Sequence, residues 1–250
     1  MLAELSACCK RLRLGKSLVE NAQHIEADTH LEFLLKLLQS EVNHREKVRI
    51  EKLIASAGFY SPKYFRDFQA DEITLPTEVT LESLRNCEFL ESHTNLVLYG
   101  NVGTGKTFLT TAIGMEACQR GIETKFYRTA ALVNRLSEAK KAGQLSAFLK
   151  KLLKAELILL DEFGYVPLDR TGAQLLFEVI SQCYEKKSIV LNTNIEFSRW
   201  VNIFYDEQMT AAILDRLLHH CHLILFEGPS IRMQQSSLFQ QIPAHVQQQG

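Results

Sequence analysis

Gly100-Asn101-Val102-Gly103-Thr104-Gly105-Lys106-Thr107 fits G-x-x-x-x-G-K-[ST], the pattern of a phosphate-binding loop. A triphosphate is a dense cluster of negative oxygens, best met by converging backbone N–H groups and the positive end of a helix. Glycines allow the close wrap, the Lys106 ammonium can span β- and γ-phosphate oxygens, and the Thr107 hydroxyl is a hard oxygen ligand for Mg²⁺. The dinucleotide fingerprint G-x-G-x-x-G does not fit, because the glycines fall as G-x-x-G-x-G. A second chemical pair lies at Asp161-Glu162, closing the apolar run Leu157-Ile158-Leu159-Leu160. Here Asp161 can hold Mg²⁺ through water, and Glu162 can orient and polarise the water that attacks the γ-phosphate. A third set, Asn192-Thr193-Asn194, ends the run Ser188-Ile189-Val190-Leu191. These neutral side chains suit a hydrogen bond to γ-phosphate or water, and local turn chemistry accounts for them equally well.

Positioning such groups requires strands that deliver them to one edge. The run Asn95–Tyr99 enters the phosphate loop and a helix leaves it at Phe108, which is counted with residues 100–107 as nucleotide-binding. Strand signals near residues 96, 124, 158, 190 and 224, with helical spacing between them, predict an α/β fold with a parallel five-stranded sheet. Thr29-x-x-Glu32 forms a capping box ahead of Leu31, Leu34, Leu35, Leu38 and Val42, so a helix is expected to run from there to Gly58. On it Arg45, Lys47, Arg49 and Lys52 alternate with Glu46 and Glu51, as on a solvated face. The expected organisation is a helical N-terminal domain at 1–58, an aromatic linker at 59–80, a nucleotide-binding domain at 81–238 and a disordered Gln-rich tail at 239–250. Linker residues such as Phe59, Tyr60, Phe65 and Phe68 are expected to dock on the next domain rather than stack single-stranded bases.

At 250 residues and 46% hydrophobic the chain can bury one full-sized core. Six cysteines without C-x-x-C spacing suit a reducing cytoplasm, and neither a signal peptide nor a membrane span is expected. His219, His220, Cys221 and His222 invite a zinc reading. Adjacent helical side chains diverge, however, and the sequence offers no second ligand pair, so no metal is assigned there. Between 125 and 154, eight basic residues face Glu138 alone, a local charge of +7 in a chain whose total is −1. Arg135, Lys140, Lys141, Lys150 and Lys151 in this stretch are candidate contacts to a DNA backbone, because an unbalanced patch repels itself unless an anion neutralises it.

The phosphate loop, LILLDEFGYVPLD, IVLNTN, ILDRLLHHC and GPSIRM occur in an order that resembles the IstB/DnaC family of AAA+ ATPases. DRTGAQLLFEVISQCYE and EFSRWVNIF are similar to the IstB-type transposition helpers of bacterial insertion sequences, over about residues 10–238. GPSIRM stands where that family more usually carries a GESYRM-like turn. The resemblance implies an AAA+ P-loop domain behind a small α-helical assembly domain, ATP and Mg²⁺ as cofactors, Asn194 as sensor 1, Arg216 as arginine finger and Arg232 as sensor 2. It also implies a homo-oligomeric ring or filament on duplex DNA that serves a partner transposase. A DnaC-like helicase loader on single-stranded DNA is the alternative within this chemistry. A monomeric kinase fits poorly with a remote finger, no Asn-Lys-x-Asp segment is present to read guanine, and a scaffold that binds ATP without turnover is the remaining reading.

Overall fold

The computed structural model describes residues 1–70 and 72–234; the tail expected at 239–250 lies outside them. The chain divides into two compact units at Lys52/Leu53. In the first, α1 (Leu2–Arg11) and α2 (Lys16–Asn21) accompany most of α3 (His30–Ala57). The Thr29 hydroxyl accepts from Glu32 N–H at 3.1 Å, as a cap should, and the Glu32 carboxylate reaches Asp28 N–H at 3.0 Å. This unit's small core is Cys9, Leu18 and Leu37, with Phe33 packed against it. The periodic residues that predict α3 are not the ones that pack: Leu31, Leu34, Leu35, Leu38 and Val42 are 45–77% exposed. Glu41, buried, ties α3 to the turn before α2 by accepting from Gly15 N–H at 2.8 Å and Arg45 Nε at 2.7 Å. Burial pushes its carboxyl up, but these bonds outweigh that and hold it below the ordinary value.

The second unit is a sheet covered by helices on both faces. Its elements are β1 (Ile73–Thr74), α4 (Leu81–Asn86), β2 (Asn95–Gly100), α5 (Lys106–Gln119), β3 (Thr124–Arg128), α6 (Thr129–Lys141), α7 (Leu145–Leu152), β4 (Leu157–Asp161), α8 (Arg170–Cys183), β5 (Ser188–Thr193), α9 (Val201–Phe204), α10 (Glu207–Leu218), β6 (Cys221–Phe226) and α11 (Ile231–Gln234). The order across the sheet is β1-β6-β2-β5-β4-β3. The sheet has six strands, not the expected five. The addition is β1, which pairs antiparallel with β6 through Ile73–Phe226 and Thr74–Leu225. Two residues are too few to show an alternating pattern, and they fall in the stretch expected to be linker.

Burial on both faces explains the continuous apolar strands. Along β4, Leu157 and Leu159 join the core under α5 while Ile158 and Leu160 join the one under α8. The aromatic stretch docks on the first of these: Phe59 lies 5.9 Å from Phe126, and Phe68 lies 5.8 Å from Phe108. Trp200 and Phe163, 4.6 Å apart, are fully buried in the second.

Candidate nucleotide site

The strand order decides what meets at the carboxyl edge. β5 is parallel to both β2 and β4 and lies between them, so its tip stands between the phosphate loop and Asp161. This crevice at the strand ends is where α/β sheets take ligands.

The loop turns on two glycines. Gly100 has φ +152°, and a Cβ there would lie 2.1 Å from the Phe226 carbonyl oxygen; Gly105 is left-handed at φ +103° and caps α5. The first bond of α5 runs from Leu109 N–H to Gly105 O at 3.0 Å. Helix geometry therefore aims the amides of Lys106, Thr107 and Phe108 into the loop's hollow, where the helix's positive end favours an anion. The Phe108 ring itself packs with Phe68 and lies under the Lys63 ammonium, 5.3 Å from the ring centre, so its part in a nucleotide site is played by its backbone. Asn101 and Thr104 brace the loop through a 2.8 Å bond between the Thr104 hydroxyl and the Asn101 carbonyl, while Val102 is exposed at its tip. Lys106 Nζ donates to the carbonyls of Gly100 at 2.7 Å and Asn101 at 2.5 Å, holding its charge where phosphate oxygens would arrive. Burial pushes the ammonium down to about 8; Asp161 opposes this and the charge of Arg232 adds to it.

Asp161 is buried and doubly held. Its Oδ1 accepts from the Thr107 hydroxyl at 3.0 Å and from Asn192 Nδ2 at 2.6 Å. Asn192 Oδ1 in turn accepts from the buried Thr110 hydroxyl on α5 at 2.5 Å. Thr107 and Asp161 thus offer two hard oxygens on one spot, the donor set a Mg²⁺ ion bound to phosphates requires. Glu162 follows in the left-handed region at φ +55°, half-exposed, and pairs with Arg128 at 3.4 Å. Arg128 also stacks on Tyr60, 4.7 Å from the ring centre. A carboxylate so placed beside the phosphate loop can polarise an attacking water once the arginine releases it.

Lys106, Thr107 and Asp161 lie together, and the bond from Ile231 N–H to Gly103 O at 3.0 Å brings the α11 turn, which carries Arg232, onto the loop. Arg216 stands elsewhere. It donates to its own helix at the Ala212 carbonyl, 2.8 Å, and lies 5.2 Å over Phe177. Asn194 is half-buried just past the tip of β5, and the amide on Asp161 belongs to Asn192. Residue types alone group the two asparagines, the resemblance singles out Asn194 and passes over Asn192, and Arg128 counts only as one of eight bases. Both roles depend on which strands are neighbours. The basic stretch is likewise not one surface: Lys125 is buried, its ammonium donating to the Ser56 carbonyl at 2.9 Å, whereas Arg135, Lys140, Lys141, Lys150 and Lys151 are exposed.

The fold has known relatives. The structure of AMPPCP-bound DnaA from Aquifex aeolicus matches with a TM-score of 0.56 at 22% identity, covering 76% of this chain and 60% of that one. DnaI matches with a TM-score of 0.53 at 17% identity, over 72% of this chain and 98% of that one. At these identities the likeness establishes the fold alone. Sequence relatives are nearer. The chain is 34% identical over 203 residues to the ATP-binding protein of insertion sequence IS232 from Bacillus thuringiensis subsp. berliner, covering 81% of each. It is 33% identical over 238 residues to the ATP-binding protein of insertion sequence IS21 from Pseudomonas aeruginosa, covering 93% of this chain and 89% of that one. The family profile of IstB-like ATP binding proteins matches residues 12–239. With a phosphate loop and an Asp161–Thr107 pair placed as that binding demands, the chain belongs to the IstB-like ATP binding protein family.

Proposed function

We propose that this chain is an ATP hydrolase that assembles head-to-tail on duplex DNA and, within a bacterial insertion sequence, selects target DNA for a partner transposase or stimulates it. One observation carries the reading: Lys106, Thr107 and Asp161 cluster around the loop, while Arg216 rests on Phe177 and its own helix. A finger that does not serve its own loop is free to serve another chain's. Such a contact joins two different surfaces, and repeating it generates rings or open helices. ATP, with Mg²⁺ on Thr107 and Asp161, then becomes part of the interface. Glu162 activates the water, and Asn194 and Arg232 read the γ-phosphate. The exposed bases of α6 and α7, repeated in each subunit, track a DNA backbone without reading sequence. The exposed leucine stripe of α3 supports assembly through the helical unit, since an apolar surface left open usually has a partner. No helix among the described residues is long and apolar enough to cross a membrane.

The test uses two inactive proteins. Arg216→Ala should lower ATP turnover by about 10³-fold or more, as loss of a finger does. Mixed with Glu162→Gln, it should regain activity, because its intact Glu162 site receives Arg216 from the neighbour. A mixture no more active than its parts, from protein that stays monomeric by light scattering with ATP, Mg²⁺ and duplex DNA, overturns the proposal.

A further inference from the structure

We propose that Glu185, His219 and His220 form a binding site for a divalent transition-metal ion of the zinc class, separate from the nucleotide site. The expectation that these histidines diverge assumes that the helix continues through them. It does not: α10 ends at Leu218, and His219, its cap, is the last residue with helical dihedrals, at φ −55° and ψ −46°. The two imidazoles then lie together, ring centres 4.1 Å apart. The missing ligand comes from another part of the chain. Glu185, left-handed at φ +55° in the turn between α8 and β5, brings its carboxylate 3.9 Å from His220 Nε2. One ligand atom from each of the three residues lies within 4.8 Å of the others. Two surroundings hold the arrangement. The Tyr184 hydroxyl bonds His219 Nδ1 at 2.8 Å, the kind of outer partner that fixes a ligating imidazole, and the His220 carbonyl accepts from Asn95 N–H at 2.8 Å, anchoring the second histidine to β2.

Two imidazoles and one carboxylate suit zinc, nickel or copper rather than Mg²⁺ or Ca²⁺, and leave a position for water. Bonds of about 2.1 Å place tetrahedral ligand atoms about 3.4 Å apart. The exposed side chains therefore need to close by at most about 1.4 Å, which rotation about their χ angles supplies. The site lies where β5 and β6 begin, at the opposite end of the strands from the phosphate loop, and one turn beyond Arg216. Occupancy would clamp the α10–β6 turn to the α8–β5 turn.

Titration of the full chain with Zn²⁺ alone, against a chromophoric chelator and without nucleotide, tests this directly. The wild type should take up one equivalent that His220→Ala loses and that Glu185→Gln weakens at least about tenfold, with Tyr184→Phe also weaker. Circular dichroism of each variant should match the wild type, because all three side chains are solvent-facing or at turns. Co²⁺ in the same site should give visible d–d bands without the near-ultraviolet thiolate band that exposed Cys8 would produce. Uptake unchanged in both ligand variants, a thiolate band, or no uptake by the wild type overturns the proposal.

Discussion

Asn192→Leu replaces an amide by a side chain of nearly the same size, and the structure says what is lost. The bond from Asn192 Nδ2 to the Asp161 carboxylate, 2.6 Å, disappears; a hydrogen bond to a charged group contributes about 1.5–3 kcal/mol. The Thr110 hydroxyl, with no exposure to solvent, loses its acceptor, and an orphaned buried donor costs about 1–3 kcal/mol. Burying leucine carbons returns about 1.5 kcal/mol, so the net loss should be about 3 kcal/mol. Trp200 is the only tryptophan and is fully buried, so its fluorescence during urea unfolding reports on this unit. For a unit of this size the loss corresponds to a fall in Tm of roughly 6–12 °C. Adding Thr110→Val removes the orphan, so the double variant should be about 1–2 kcal/mol more stable than the two single losses predict. Half-saturation of ATP turnover by Mg²⁺ should rise as well, because Asp161 loses one of its two restraints. A loss under about 1 kcal/mol, strict additivity with Thr110→Val and an unchanged Mg²⁺ dependence would together refute the view that Asn192 positions the Asp161 carboxylate.

Two further outcomes follow from the loop. With Lys106 held at about 8 in the free protein and its ammonium favoured by phosphate, ATP binding takes up a proton above that pH. Affinity for a fluorescent ATP analogue should be flat from pH 7 to about 7.5 and then fall by up to about tenfold per unit towards pH 9.5; a level profile across that range contradicts it. Gly100→Ala must place a Cβ 2.1 Å from the Phe226 carbonyl at φ +152°, so β2 and β6 have to part. Its urea midpoint should drop by the equivalent of about 3 kcal/mol or more, and a change within about 0.5 kcal/mol would show that the pairing is not this tight.

Nucleotide chemistry was legible in the chain because it is local. Lys106 and Thr107 sit at fixed offsets from the glycines, and any strand-loop-helix that contains them aims the same amides at the same hollow. The apolar runs ending at Asp161 and Thr193 were equally plain, since strands buried on both faces admit almost nothing else. The leucines of α3 mark the limit of such patterns. Their spacing gives the helix correctly, yet the residues that pack are Phe33 and Leu37, because periodicity fixes a face and not its partner.

Spatial order was the part the sequence withheld. β5 enters the sheet between β2 and β4, and the register that sets Leu160 level with Leu191 puts Asn192, rather than Asn194, beside Asp161. The pairing of β3 with β4 puts Arg128 on Glu162, and the early end of α10 turns two histidines towards a glutamate more than thirty residues away. Bonds along the chain determine what a loop of eight residues can hold. Contacts between strands and turns far apart in sequence are chosen by the packing of the whole core, and no local spacing records that choice.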